Sequence, residues 1–201
     1  IKYDFPKSFE IYQNVMKNWG SEKLWIKDFI TKVLKIPKKK ILFYEHHFSH
    51  AASAFYCSNF ESSDLLTIDG VGEWTTTSFG KTINQTLIRD NNVDFPNSIG
   101  LLYTAFTEFL GFEVNDGEYK VMGMAPYGKP IYLDKIDKLF KSIKKFGFEL
   151  DMSYFNFHKS VNTNLSSKFT NLFGEKRNKE EPFYLDIHND DLSDQNFDVS
   201  N

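Results

Sequence analysis

The residues of this chain best suited to chemistry are two histidines and one aspartate: His46, His50 and Asp69. The segment that begins at His46 indicates a helix, and residues four apart on a helix lie about 40° apart around its axis. The two imidazoles can therefore bind one ion together. Asp69 ends the apolar run DLLTID, which predicts a strand that delivers the carboxylate at its end. We predict a metal site with these three side chains as ligands.

Two histidines and one carboxylate leave coordination positions open, which suits a catalytic divalent ion rather than a structural one. Fe²⁺ fits this donor set best, and Zn²⁺ or Mn²⁺ would also fit. Histidine pairs at this spacing also arise without a metal, since many helical histidines simply pack in a core. His47 is turned about 100° from His46 on the same helix, so we predict a supporting or packing role for it.

A glycine-containing segment follows the aspartate directly and reads Gly70-Val71-Gly72-Glu73. Glycine lets the backbone approach a ligand closely, and the amides of such a turn can bind phosphate. We therefore predict that Gly70, Val71 and Gly72 bind the phosphate of a nucleotide or of an acyl phosphate. An ordinary hairpin turn would have the same composition, because Gly-x-Gly alone is weak evidence.

A second candidate for phosphate binding is Lys120, which lies in the irregular stretch 115–128. Irregular segments often line sites. A lysine there could pair with a phosphate, and a solvent-exposed lysine is the alternative.

The elements around these residues indicate an α/β fold. Ser98 or Asn97 is the expected N-cap of the helix that follows the loop 91–97, and Ser21 is that of an earlier helix. The predicted helices span 8–18, 21–34, 99–110, 133–146 and 169–174, with a further one through HHFSHAASAFYCS; the predicted strands span 41–44, 64–69, 74–81, 82–89 and 148–157.

The composition bounds the class of protein. The 201 residues are 41% hydrophobic and 25% charged, which is typical of a soluble globular protein. A net charge of −3 without a basic face disfavours nucleic acid as a partner. The single cysteine excludes an internal disulfide and fits a reducing cytoplasm. No apolar run has the length of a membrane span, so we expect no membrane partner.

Four motifs in order carry a resemblance to a known family: EHHFSHAASAFYCSNF, LLTIDGVGEWTTTSFG, FPNSIGLLYTAFTEFLGF and GEYKVMGMAPYGKP. Together they resemble the nodulation-type and antibiotic-tailoring O-carbamoyltransferases, most closely over residues 41–130. The resemblance implies the actin/hexokinase/chaperone-ATPase (ribonuclease H-like) fold, a mixed sheet with flanking helices, incomplete here.

The resemblance also implies an activity. Enzymes of this family transfer a carbamoyl group from carbamoyl phosphate, through an ATP-derived carbamoyl adenylate, to a hydroxyl of a small-molecule acceptor. Their HxxxH pair and the aspartate after the next strand bind the catalytic metal, and these positions match His46, His50 and Asp69. Their phosphate-side loop matches the segment from Gly70 to Glu73, and Glu73 is a candidate general base.

Three family features have no counterpart in the 201 residues: the first phosphate hairpin, a further metal-binding aspartate and a YrdC-like domain that forms the adenylate. We therefore expect residues 1–201 to be an internal fragment of the N-terminal domain, with 175–201 polar and loop-like, and inactive alone. Two alternatives stay open. One is a tRNA threonylcarbamoyl-adenosine synthase, against which stands Asp-Gly-Val-Gly-Glu in place of that family's serine-and-glycine turn. The other is a non-catalytic nucleotide-binding module.

Overall fold

The computed structural model describes residues 6, 9–21, 23–160 and 162–179. These residues form a mixed α/β structure with two antiparallel sheets, of order β1-β2-β3 and β4-β5. The helices are α1 (Phe9–Ser21), α2 (Ile26–Leu34), α3 (His46–Tyr56), α4 (Ile99–Phe109), α5 (Glu118–Met124), α6 (Leu133–Asp137) and α7 (Ser167–Phe173). The strands are β1 (Asp64–Gly72), β2 (Thr75–Ile83), β3 (Thr86–Asp94), β4 (Phe140–Lys144) and β5 (Gly147–Leu150).

Two tight hairpins connect the three strands of the larger sheet. Asn84 and Gln85 join β2 to β3 with φ values of 48° and 59°, as a primed hairpin turn requires. Gly72 pairs with Thr75, so the β1–β2 turn has its tip at Glu73 and the residue after it. The prediction of a glycine turn over residues 70–73 is therefore wrong in its position, because the two glycines lie in β1.

The prediction that Asp69 ends its strand is wrong. The strand continues to Gly72, and Asp69 lies in an irregular part of it. The register of β1 against β2 shifts between Ile68 and Gly72. An irregularity of this kind twists a strand and re-aims the side chains within it. The aspartate is thus set apart from the regular alternation of the strand.

Helix α3 packs on the sheet along one narrow stripe. Its buried residues are His47, Ala51 and Phe55, each four positions after the last and therefore nearly in line. Ala51 and Phe55 form a small core with Leu87 of β3, against which Leu65 of β1 also packs. This stripe fixes the rotation of α3 about its axis.

Helix α4 begins against the same irregular part of β1. Ser98 caps it, as predicted, by accepting a hydrogen bond from the Leu101 amide at 3.0 Å. The Ser98 hydroxyl also lies 2.7 Å from the Gly70 carbonyl oxygen and 3.1 Å from that of Asp69. A Cβ at Gly100 would lie 2.5 Å from the Asp69 carbonyl oxygen, so only glycine permits this approach.

The main core lies on the other side of α4. The residues buried there come from α4, the second sheet and the segment up to α7: Leu102, Ala105, Phe109, Leu139, Leu150, Tyr154, Phe155, Leu165 and Phe169. The helix predicted over 169–174 is confirmed within α7, and Gly174 follows its last residue with φ of 108°.

The helix predicted over 133–146 is wrong beyond Asp137. Residues from Phe140 onwards form β4, which pairs with β5. Leu139, directly before β4, is fully buried. Ile143, which lies within the predicted helix, is 73% exposed. Long-range packing of Leu139 and strand pairing therefore override a helical spacing. The strand predicted over 148–157 ends at Leu150.

Other predicted bounds also need correction. Residues 41–44 are not a strand; Ile41 is buried and the next three side chains are exposed, so the apolar run has no strand partner. The predicted loop 91–97 is β3 as far as Asp94. Ser21 belongs to the end of α1, and Trp25 precedes α2 instead. Residue 8 of the first predicted helix lies outside the described residues.

Residues 175–179 have no helix or strand, and the rest of the predicted polar tail, 180–201, lies outside the described residues. Within the part of the chain that the structure describes, no helix has the length and apolar character needed to cross a membrane.

A buried carboxylate links α4 to the segment before α7. Glu108 accepts hydrogen bonds from the Thr163 hydroxyl at 2.6 Å, the Asn164 amide at 2.8 Å and Lys176 Nζ at 2.9 Å. Burial by itself raises the pKa of Glu108, but these bonds and the lysine charge outweigh it, so its pKa lies below the usual value.

We expect Glu108→Gln to lower the free energy of unfolding by about 1–3 kcal/mol, because the new amide NH2 group would face donors that now bind the carboxylate. The carboxylate's contribution is complete above the ordinary glutamate pKa and is lost as pH falls through the lowered pKa of the folded state. The difference between wild type and variant, measured by urea unfolding from pH 7 downwards, should therefore shrink in acid. Glu113→Gln, at an exposed pair with Lys179, is the control and should change little. Equal effects of both substitutions would contradict the assignment.

The contact between α3 and β1 gives a second expectation. A Cβ at Gly72 would lie 2.4 Å from His46 Cδ2 and 2.8 Å from His47 Cδ2, and the His47 ring is buried. Gly72→Ala should therefore lower the free energy of unfolding by about 1–3 kcal/mol, since the helix must move. Gly123→Ala is the control, since nothing lies within 4 Å of its added Cβ. A Gly72→Ala variant as stable as the control in urea unfolding would refute the close packing.

Candidate metal centre

The three predicted metal ligands lie together at the junction of α3 and β1. His46 Nε2 contacts Asp69 Oδ2 directly. His50 Nε2 lies 3.0 Å from His46 Nε2 and 3.5 Å from the same carboxylate oxygen. The structure thus brings one nitrogen from each ring and one oxygen to a common point, within 4.8 Å of one another.

This donor set is compatible with a divalent cation. Two ligand atoms bound to one Zn²⁺-sized ion in tetrahedral geometry lie roughly 3.4 Å apart, close to the separations of His50 from its two neighbours. The side chains of His46, His50 and Asp69 are 44%, 54% and 30% exposed. An ion held by these residues would therefore keep open positions on its solvent side, as catalytic sites do.

The local electrostatics keep Asp69 in its ligating form. Partial burial raises the pKa of this carboxyl, but the contact with His46, the Gly70 amide and the charges of His46 and His50 outweigh it. The pKa of Asp69 therefore lies below its usual value. The Gly70 N–H donates to Asp69 Oδ1 at 2.6 Å, which fixes the orientation of the carboxylate.

His47 is turned about 100° around the helix from His46, into the sheet, and is 1% exposed. Its Nε2–H donates to the Thr75 carbonyl at 2.9 Å, because a carbonyl oxygen can only accept. Its Nδ1 lies 2.6 Å from the Thr67 hydroxyl, which in turn lies 2.6 Å from the Ser78 hydroxyl. The predicted packing role of His47 is confirmed by this burial.

The predicted phosphate-binding residues have other neighbours in the structure. The Gly70 amide already binds the Asp69 carboxylate, so a phosphate at Gly70 would compete with that bond. Val71 is exposed, whereas Gly72 lies against the rings of α3. Their nucleotide role stays a prediction.

Glu73 and Lys120 lie on different parts of the surface. Glu73 is exposed at the hairpin tip with φ of 64°, next to the glycine that contacts His46. Lys120 is exposed on α5, with Nζ 5.9 Å from the Phe112 ring centroid and 5.8 Å from that of Tyr119. The base and phosphate roles of these residues also stay predictions.

The sequence analysis missed the hydroxyl groups that support the centre. Thr67, Ser78 and Ser98 are all buried. Thr67 binds His47, Ser78 binds the Thr67 hydroxyl, and Ser98 binds the backbone at Asp69. Ser98 gave a signal as a helix cap, but its second contacts depend on where α4 meets β1. Alternation along β1 and β2 could have placed Thr67 and Ser78 on the inner face, though not beside a histidine.

Comparison with known proteins gives relatives of this chain. The uncharacterized protein sll1178 of Synechocystis sp. is 42% identical over 186 residues, which are 88% of this chain and 30% of that protein. Nodulation protein NolO of Bradyrhizobium diazoefficiens is 41% identical over 97 residues, 47% of this chain and 17% of that protein. Nodulation protein NolNO of Sinorhizobium fredii is 35% identical over 117 residues, 58% of this chain and 17% of that protein.

The chain thus spans less than a third of the length of these relatives. The family described as "Carbamoyltransferase N-terminus" matches residues 7–192, and so includes the helix and the strand that carry the three converging side chains. The NolO and NolNO similarities agree with the nodulation-type branch that the four motifs resemble. The chain belongs to the carbamoyltransferase family, within its N-terminal region.

Proposed function

We propose that this chain forms part of a metal-dependent O-carbamoyltransferase. The enzyme transfers a carbamoyl group from carbamoyl phosphate, through carbamoyl adenylate, to a hydroxyl of a small-molecule acceptor. The observation that carries the proposal is the convergence of His46, His50 and Asp69. Membership of the family supports the transferase class, and the four motifs support the donor and the adenylate.

The proposed metal is a divalent cation, Fe²⁺ before Zn²⁺ or Mn²⁺. His46 and His50 would supply nitrogen ligands and Asp69 an oxygen ligand. Such an ion supplies Lewis-acid polarisation of a carbonyl oxygen when bound. The geometry at Asp69 supports the proposal, because the Gly70 N–H binds Oδ1 at 2.6 Å while Oδ2 faces the two imidazoles.

The transfer step balances without a redox partner. The acceptor oxygen attacks the carbamoyl carbon, a new C–O bond forms, and the bond from that carbon to the phosphate oxygen breaks. The bonding electrons leave with AMP, and the hydroxyl proton passes to a base. Glu73 is the proposed base. It is exposed at the tip of the β1–β2 hairpin, and Gly72, directly before it, lies against His46.

The same proposal extends to the fold and to nucleotide binding. A ribonuclease H-like architecture of the whole protein would place the β1–β2 hairpin beside the adenylate. Amides of Val71 and Gly72 and the ammonium of Lys120 are the proposed phosphate contacts. The exposure of Lys120 supports access to a ligand from solvent.

His50→Ala in the full-length protein should abolish stoichiometric metal binding and lower carbamoyl transfer by about 100-fold or more, because several kcal/mol of charge stabilisation are lost. Metal content is measured by mass spectrometry, and transfer by label from carbamoyl phosphate. Ser49→Ala changes an exposed residue of the same helical turn, whose hydroxyl binds only the Glu45 carbonyl at 3.0 Å among its described contacts, and should behave as wild type. Unchanged metal content and transfer in His50→Ala would sink the proposed centre.

Glu73→Gly separates the proposed base from a structural role. Glycine suits the positive φ of this turn position, so the unfolding midpoint should stay or rise, while the transfer rate should fall by about 100-fold. Asn115→Gly makes the same backbone change at φ of 65° elsewhere on the surface and should leave transfer unchanged. A Glu73→Gly variant with wild-type transfer rates would eliminate this residue as the base.

A further inference from the structure

We propose that His47, together with the Thr67 and Ser78 hydroxyls, is a positioning group for the metal ligands and not only part of the core. The inference rests on the proposed function, since it concerns how the His46 and His50 imidazoles are held for an ion. The three positioning residues are buried, and neither ligand histidine has a buried side chain.

The ligand histidines are held by few side-chain partners among the described residues. Among the described contacts, the side-chain hydrogen bonds of His46 and His50 are only with each other and with Asp69. Both side chains are about half exposed. Their direction therefore depends mainly on the rotation and depth of α3 rather than on neighbours of their own.

The buried ring of His47 sets the rotation of α3. His47 is the first member of the buried stripe of α3 and follows His46 directly. Its two ring nitrogens are tied to different strands, Nδ1 to Thr67 of β1 and Nε2 to the Thr75 carbonyl of β2. The bond to the Thr75 carbonyl requires a proton on Nε2, and the two bonds together fix the plane of the ring.

The hydroxyls of Thr67 and Ser78 extend the hydrogen-bonded chain from His47. In a neutral His47 ring, Nδ1 accepts from the Thr67 hydroxyl, whose oxygen then accepts from the Ser78 hydroxyl. Each group in this relay is satisfied only if the ring keeps its place. A rotation of α3 that moved His46 away from Asp69 would leave these buried polar atoms unpaired, which is unfavourable.

The close approach of Gly72 to both rings supports the same conclusion. One position on the hairpin lies against both His46 and His47, with ring atoms 2.4 to 2.9 Å from the missing Cβ. His46 and His47 therefore pack against the same glycine. We infer that a shift of the His47 ring would also displace the His46 ring.

The experiment compares two substitutions of Thr67 in the full-length protein. Thr67→Val keeps the shape of the side chain and removes the hydroxyl, whereas Thr67→Ser keeps the hydroxyl. Co²⁺ is titrated into metal-free protein, and its visible absorption reports both affinity and coordination geometry. We expect Thr67→Val to weaken Co²⁺ binding by about 10–100-fold and to alter the spectrum, as loss of outer support does at other metal sites. Thr67→Ser should retain both wild-type properties.

Phe55→Leu controls for general loss of stability. Phe55 lies two turns further along the same buried stripe and is 5% exposed, so its substitution should lower the unfolding temperature without changing Co²⁺ affinity. Wild-type affinity in Thr67→Val, or equal losses in Thr67→Val and Phe55→Leu, would overturn the positioning role alone. Wild-type protein that binds no Co²⁺ would overturn the metal centre itself, and the positioning role with it.

Discussion

The arrangement of the centre depends on one contact, the seating of the first turn of α3 on the β1–β2 hairpin. A histidine ring enters the sheet there and exchanges hydrogen bonds with two strands, while Gly72 leaves room for it. Burying a polar ring is costly unless both nitrogens are satisfied. The contact therefore permits one depth and one rotation of the helix. The positions of the exposed His46 and His50 rings are fixed with it.

Strand β1 is held at Asp69 from a second direction. The first turn of α4 meets the irregular part of the strand, where the Ser98 hydroxyl lies beside two backbone carbonyls and Gly100 allows the backbones to touch. Helix α4 is itself anchored in the main core through Leu102, Ala105 and Phe109. The carboxylate of the centre thus lies on a segment fixed by one helix, whereas the two imidazoles lie on another.

The centre divides its work between exposed and buried residues. The groups suited to bind an ion face solvent, where open coordination positions are accessible. The groups that orient them, His47, Thr67, Ser78 and Ser98, are buried. Since the cost of an unpaired polar atom rises with burial, the supporting groups are the ones able to impose geometry on the exposed ones.

Periodicity identified which residues share a face, but not what covers that face. Apolar residues form a stripe at helical spacing along α4, and Leu102, Ala105 and Phe109 of this stripe are buried in the main core. The equally regular stripe of α2 is exposed, with Phe29 at 62% and Val33 at 57%. Apolar residues from Leu133 to Ile143 also recur at helical spacing. They do not form one helix, because Leu139 packs in the core and the next residues pair with β5. Local spacing cannot distinguish these outcomes, since each depends on residues distant in the sequence.

The sequence alone determined the residues of the candidate centre, because helical spacing puts His46 and His50 on one face and an apolar run leads to Asp69. It also determined the family, through four motifs in order. Only the tertiary structure decided that the glycines lie within β1, that a strand irregularity presents the aspartate, and that His47 joins two strands. Those features arise where α3 and α4 each pack against β1, and the free energy of such contacts depends on close packing between segments that lie far apart in the chain.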